Sequence, residues 1–455
     1  MLFSLFNIKY LKYAFFLLIF FWFPISFFVY LRIYELAVIY TFIVSTILFF
    51  ASPYLSIFFY IYLLPMPSII SSEYNLLGYL GINEISQIFV LILFLRKKFD
   101  FSKRLKVHNY VIFIICIISI YYLYFYSKGI LLGYNLGPDV ESINYVFKFF
   151  IKQFLKYVPL ILIISTLNIE KIKRYILPSI TLSSFTILIS MMLAENLISF
   201  GYDLIQTSYA LSEIEGGVTR AVGFYRAGGD TNSVAGFFLV LIGFILSNYE
   251  YNRHSKITKY LLPLLVSSLG VLLTASRTGF IILILLFVYF WLRNFNNFRS
   301  HKLAFFLFII AVFSSSIIFK IIDRFFTESA YRAFDTSTDA RLGYYFIYIP
   351  YFIDNLYVLI TGYLNNPIWY NRSPHNFFLL MTYNAGLIFP LFFLYYIYKC
   401  YQWIKMNIKG YNLMYLIMPY VLLISTINSE GSGIYLWILI SLIPHEFNRS
   451  NKILN

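Results

Sequence analysis

The chain has 455 residues, of which 60% are hydrophobic, 22% aromatic and only 12% charged. A charged fraction at half the ~25% of soluble domains excludes a water-soluble globular fold. The formal net charge of +15 would suit an acidic partner, but its distribution along the chain reads as membrane topology, and no nucleic acid is called for.

Apolar runs of about 17–25 residues recur along the chain, the length a hydrocarbon core ~30 Å thick demands of a helix whose backbone must satisfy itself in lipid. The expected fold class is all-α: a polytopic integral membrane protein with about 12–14 transmembrane helices, forming one domain over residues 1–455. Lys9 and Lys12 precede the first apolar run without a small-residue cleavage site after it, so the run reads as a first span and not a removed signal. The expected spans are 10–31, 33–50, 53–70, 76–95, 108–127, 147–167, 174–195, 231–248, 257–274, 277–293, 302–319, 376–399, 411–427 and 432–445. Pro65 and Pro67 interrupt the third, which leaves a twelve-span variant open.

The positive-inside rule orients this array. With the basic linker from Arg96 to Lys106 in the cytoplasm, both termini and 22 of the 35 Lys/Arg lie inside, joined only by Asp100, Glu170, Glu250 and Glu446. The inner side then carries 22 − 4 = +18 and the outer side 13 − 16 = −3, which adds up to the net +15.

Polar sequence accumulates outside, at 128–146, 198–230 and above all 320–375, and long ordered loops are usually functional. Lys148, Lys152 and Lys156 share one helix face; they either snorkel to the interface or line a polar chamber. Residues 342–360 are apolar but broken by Pro350 and Asp354-Asn355. They read as a helix starting at Arg341 that lies on or dips into the outer membrane surface. Cys116 and Cys400 fall in apolar runs and suggest neither a disulfide nor a zinc site.

Four of the five histidines, His108, His254, His301 and His445, map to cytoplasmic basic loops, and His375 alone maps outside. Three outward stretches combine cations with tight turns. The first runs from Arg220 through Arg226, Asp230 and Asn232 to Ala235; the second is Ser276-Arg277-Thr-Gly279; the third runs from Arg341 through Thr361-Gly362-Tyr363 to His375, Asn376 and Gly386. Arginine there suits a doubly hydrogen-bonded grip on phosphate. Plainer readings stand beside each: Arg277 as a span-end anchor, Arg220 and Arg226 paired with Glu213, Glu215 or Asp230, His375 as an idle span-end residue, and Glu84, Glu195 and Glu430 as helix-end carboxylates.

Taken in order, Arg341-Leu-Gly-Tyr-Tyr, Ile360-Thr361-Gly362-Tyr363 and Ser373-Pro374-His375-Asn376 followed by Gly386 resemble the signature of the O-antigen ligase and O-antigen polymerase superfamily. Ser276-Arg277-Thr-Gly279 resembles that family's serine-arginine turn, and Asp230-Thr-Asn232-Ser-Val-Ala235 its asparagine-containing span start. The resemblance covers 220–386 in its motifs and the whole chain in its layout. Pro390 stands where the ligase branch has a small or hydroxyl residue, which favours polymerase.

The resemblance implies a glycosyltransferase on the outer face of the bacterial inner membrane that uses undecaprenyl-diphosphate-linked oligosaccharides as donor and acceptor. Outward loops 198–230 and 320–375 would form its active face, membrane lipid would surround it, and a chain-length regulator protein is a further implied partner. His375 would take the acceptor's proton, and Arg277 and Arg341 would hold the leaving diphosphate. Arg220, Arg226, Asp230, Asn232, Arg372 and Asn376 would bind the substrates. No cofactor and no metal is expected, because none of the three stretches offers an Asp-x-Asp and fixed arginines can serve electrostatically. The order of expectation is repeat-unit polymerase, then ligase transferring glycan to lipid A-core, then a flippase or transporter without chemistry. A transporter should carry ionisable groups at mid-membrane, whereas here cations gather at one face.

Overall fold

The computed structural model describes residues 8–31, 33–65, 82–96, 105–131, 143–166, 169–192, 211–214, 218–221, 231–252, 258–274, 276–294, 341–363, 376–426 and 433–447. They are mostly helical, and the strands among them form one short antiparallel hairpin, β1 (Leu211–Ile214) with β2 (Val218–Ala221). Four helices are long and apolar enough to cross a membrane: Tyr10–Phe28, Lys106–Phe125, Arg174–Met192 and Thr231–Tyr251. The expected span at 302–319 and the loop that follows it to residue 340 lie outside the described residues. The chain divides into two compact units, Met1–Ser102 with Thr166–Ile318, and Lys103–Ser165 with Phe319–Asn455.

The first unit contains α1 (Ile8–Leu17), which passes through a π-helical turn at Leu18–Trp22 into α2 (Phe23–Tyr30), then α3 (Tyr34–Ala51), α4 (Pro53–Leu63), α5 (Ile82–Arg96), α8 (Ile169–Met192), α9 (Thr231–Tyr251), α10 (Thr258–Leu273) and α11 (Arg277–Arg293). One of its helices, α3, is turned the opposite way from a helix of a soluble bundle. On α3, Ala37, Thr41 and Ser45 are buried while Ile39, Phe42, Ile43, Ile47 and Phe50 are exposed. A small-residue stripe facing inward and large apolar groups facing outward is how helices pack in lipid, where tails solvate leucine as well as protein does. Buried hydroxyls follow the same rule. Tyr62 of α4 accepts from Trp22 Nε1 at 3.0 Å and lies 3.1 Å from Thr186 Oγ1, and Ser183 donates to the Tyr62 carbonyl at 2.8 Å. Glu84 sits in the first turn of α5, where its charge suits the helix dipole, in accord with a helix-end carboxylate.

Within this unit α9 is the buried centre, packed on α10 and α11. At one end Ser276 Oγ donates to Asn232 Oδ1 at 2.5 Å; at the other Arg293 Nε donates to Glu250 Oε1 at 2.8 Å. The two pins make α9 and α11 parallel, and at 1.5 Å per residue they stand about 27 Å apart along α9.

The second unit contains α6 (Lys106–Leu131), α7 (Ile143–Thr166), α12 (Arg341–Asp354), α13 (Val358–Thr361), α14 (Phe377–Ala385), α15 (Ile388–Asn407), α16 (Met414–Ile424) and α17 (Gly433–Phe447). α6 packs against α14, α15 and α17. Lys148, Lys152 and Lys156 lie on α7 and so share its face. The helix expected over 342–360 starts at Arg341 and stops at Asp354, resuming as α13. One apolar face of it, Tyr348 and Phe352, is buried with Tyr363 and Tyr383, while Ile349, Ile353 and Ile360 are exposed.

Two expectations are corrected here. The span 376–399 is not one helix. A continuous helix would hold residues 377 and 393 about 24 Å apart, but the Phe377 and Phe378 rings each lie 6.2 Å from that of Phe393. The chain folds back at Gly386 and Leu387, so α14 is a short arm laid along α15. Nor are His108 and His445 loop residues. His108 is fully buried in the first turn of α6, its Nδ1 accepting from Leu105 N at 3.1 Å. That leaves the proton on Nε2, which donates to the Ser441 carbonyl at 3.0 Å and lies 3.1 Å from His445 Nε2, the rings stacked at 5.0 Å.

Glu250 is nearly fully buried while Arg293 is about half exposed. Arg293→Met should therefore lower stability by about 1–3 kcal/mol, under the 3–5 of a wholly buried pair, and Glu250→Gln in the Arg293→Met background should restore part of it. Thermal unfolding in detergent checks both; equal stability of Arg293→Met and wild type would show the pin to be idle.

Candidate functional site

Two constellations emerge, one in each unit. In the first unit, Ser276 caps α11: it is extended at φ −76, ψ 114, and its Oγ accepts from Gly279 N at 3.0 Å, as a serine N-cap should. The same Oγ donates its proton to Asn232 at the second residue of α9, so one hydroxyl ties two helix starts together. Gly279 permits the approach, because a Cβ there would meet the Ala235 Cβ at 2.6 Å. Thus the asparagine-containing span start and the serine-arginine turn, 44 residues apart, form one structure. Arg277 is the first residue of α11; a cation carried at the start of a helix whose free N–H groups point the same way suits an anion. Its side chain lies outside what is described. Arg220 is on β2 opposite Ser212, with its side chain likewise outside, and Arg226 and Asp230 fall outside the described residues.

In the second unit, Asn376 is the N-cap of α14, extended at φ −149, ψ 112, its Oδ1 accepting from Leu379 N at 3.1 Å. The asparagine of the His375-Asn376 pair thereby sets where the arm begins. Arg341 is the first residue of α12, its side chain outside the described set, and His375 and Arg372 lie outside the described residues altogether.

The other end of α14 meets the Thr361-Gly362-Tyr363 segment. Gly362 (φ 73, ψ 177) and Gly386 (φ 86, ψ 166) both occupy a region essentially reserved for glycine. A Cβ on Gly362 would stand 2.3 Å from the Asn384 carbonyl oxygen, and one on Gly386 2.2 Å from that of Ile360. Two backbones therefore touch with no side chain between them. Tyr363 N donates to the Tyr383 carbonyl at 2.8 Å and Leu387 N to that of Leu359 at 2.7 Å, while the Tyr363 and Tyr383 rings stack at 5.0 Å. Asn384 Nδ2 donates to Tyr121 Oη at 3.0 Å, which fastens the arm to α6.

Both glycines stand out in the sequence, whereas Lys128, Tyr124 and Asn384, which surround this crossing, do not. The signal available was a lysine directly after the aromatic end of the fifth expected span, in Tyr121-Tyr-Leu-Tyr124-Phe-Tyr-Ser-Lys128. Among the described residues no group of three or more His, Cys, Asp or Glu is placed to hold a metal ion.

No family model, curated protein or solved structure matches this chain, so the functional reading rests on its own residues.

Gly386→Ala should cost of order 1–3 kcal/mol in backbone conformation alone, with the Ile360 carbonyl clash added. It should lower the unfolding temperature in detergent more than alanine at Gly279, where the clash is with a methyl group. An unchanged transition in Gly386→Ala would contradict the glycine-only crossing.

Proposed function

We propose that this protein is a membrane glycosyltransferase that polymerises undecaprenyl-diphosphate-linked oligosaccharide repeat units into O-antigen or capsular polysaccharide, at the outer face of a bacterial inner membrane with both termini cytoplasmic. The observation that carries the reading is that motif pieces distant in sequence interlock: Asn232 with Ser276, and Thr361-Gly362-Tyr363 with Asn384–Gly386. Residues joined in this way act as units. The polar pins fit the expected separation of the two sides. Lys128 and His108, at opposite ends of α6, contact Thr361 and His445, which the positive-inside assignment puts on opposite sides.

The chemistry is a displacement at carbon. The acceptor glycan's hydroxyl gives its proton to His375 as its oxygen attacks C1 of the donor's first sugar. The C1–oxygen bond to the lipid diphosphate breaks, and the leaving group takes the electron pair. Arg277 and Arg341 grip that diphosphate through paired hydrogen bonds, which lysine cannot reproduce. Asn232, through Ser276, holds the helix start that carries Arg277, Asn376 caps the arm that follows His375, and Arg220, Arg226, Asp230 and Arg372 contact the substrates. The polymerase reading is preferred over the ligase because Pro390 occupies the third residue of α15, where the ligase branch differs.

The test is purified protein in lipid nanodiscs with lipid-linked repeat units, with and without a chelator. Wild type should lengthen the lipid-linked glycan whether or not divalent metal is removed. His375→Ala should accumulate normally yet transfer roughly 10²–10⁴-fold more slowly, as for loss of a general base, and Arg277→Lys and Arg341→Lys should lose most product. Near-wild-type turnover by His375→Ala would remove the proposed base. Transfer only onto lipid A-core would make the protein the ligase, and abolition by chelator with rescue by magnesium or manganese would refute the arginine mechanism.

A further inference from the structure

The C-terminal turn of a helix presents carbonyls without intrahelical partners and the negative end of the dipole. Two such ends, those of α13 and α14, are brought together where Gly362 meets the Asn384 backbone and Gly386 that of Ile360. Lys128 lies over both. Its Nζ donates to the Thr361 carbonyl at 3.3 Å and to the Asn384 carbonyl at 3.2 Å. It stands 4.4 Å from the centre of the Tyr363 ring and 5.5 Å from that of Tyr124. The Tyr124 hydroxyl donates to the same Thr361 carbonyl at 3.0 Å. No carboxylate pairs with Lys128 among the described residues. The ammonium is therefore held by peptide dipoles and aromatic faces, and an ordinary lysine reaching for solvent would not aim at two helix ends at once.

We infer that Lys128 is a positioning residue, whose ammonium clasps the C-terminal ends of α13 and α14 and thereby holds the arm that begins at Asn376. α14 is nine residues, about 13 Å long, so freeing one end displaces the other. Insofar as it concerns glycosyl transfer, this inference rests on the reading of His375 and Asn376 given above.

Burial lowers the Lys128 ammonium from 10.5 to about 8. An opened clasp would return it to water and to its ordinary value. Up to about pH 8 the closed clasp therefore keeps its ammonium. The groups facing Lys128 are Tyr124 from α6, Thr361 and Tyr363 at the end of α13, and Asn384 from α14; none is a carboxylate or histidine.

The test compares wild type, Lys128→Met and Lys128→Arg in nanodiscs by hydrogen exchange at the amides of Tyr363, Gly386 and Leu387, with the amides around His108 as a control on folding. Lys128→Gln serves if Lys128→Met does not accumulate. Lys128→Met should exchange about tenfold faster at those three amides, the least that loss of hydrogen bonds from a charged group implies, and Lys128→Arg should stay near wild type. Wild-type exchange in Lys128→Met, or equal loosening in Lys128→Arg, would overturn the clasp. Transfer of lipid-linked repeats should fall with Lys128→Met and recover with Lys128→Arg. Unchanged transfer beside loosened amides would end the positioning role. Absence of transfer even in wild type would refute the proposed function while the exchange data still decide the clasp.

Discussion

A helix surrounded by lipid can hide its backbone in its own hydrogen bonds, but its ends and polar side chains must find partners in the protein. Much of this molecule's arrangement follows from that need. In the first unit α9 and α11 are tied by Asn232 with Ser276 at one end and by Glu250 with Arg293 at the other. In the second, α6 is tied through Lys128 at one end and His108 at the other, twenty residues and about 30 Å away. Between such pins the large exposed residues of α6 and α11 are apolar or aromatic, among them Phe113, Ile120, Ile281, Leu285 and Val288. The pins lie about one hydrocarbon thickness apart, so the charged groups of these helices sit at their ends and the middles stay apolar.

The crossing at Gly362 and Gly386 applies the same constraint at short range. Two chain segments that end helices cannot both leave their carbonyls bare, and with no Cβ on either glycine they approach until backbone meets backbone. The resulting arm, α14, is too short to cross a bilayer and is stabilised instead by Phe377 and Phe378 against Phe393 and by Asn384 against Tyr121. α15, with 20 residues, is about 30 Å long.

The features legible in the sequence were those with a local cause. Arg341 opens its helix after a run of turn-forming residues, Asp354-Asn355 ends it, and α9 and α11 begin where Asn232 and Ser276 were marked. The fold-back at Gly386 was not legible as such, because hydropathy sums over 376–399 and is blind to a single glycine-only dihedral. The burial of His108 was equally hidden: its partners Ser441 and His445 are over 330 residues away. Lys128 went unmarked for the same reason. Its partners are backbone carbonyls brought to it by α13 and α14, and a carbonyl leaves no trace in residue type.

Everything functional in this account depends on which membrane face the interlocked motifs occupy. The measurement that bears on it most directly is labelling of single cysteines at Ser337 and Ser255, in a background lacking Cys116 and Cys400, by a membrane-impermeant thiol reagent on intact spheroplasts. The account predicts that position 337 is labelled and position 255 is reached only after the membrane is permeabilised. Labelling of position 255 with 337 protected would contradict it.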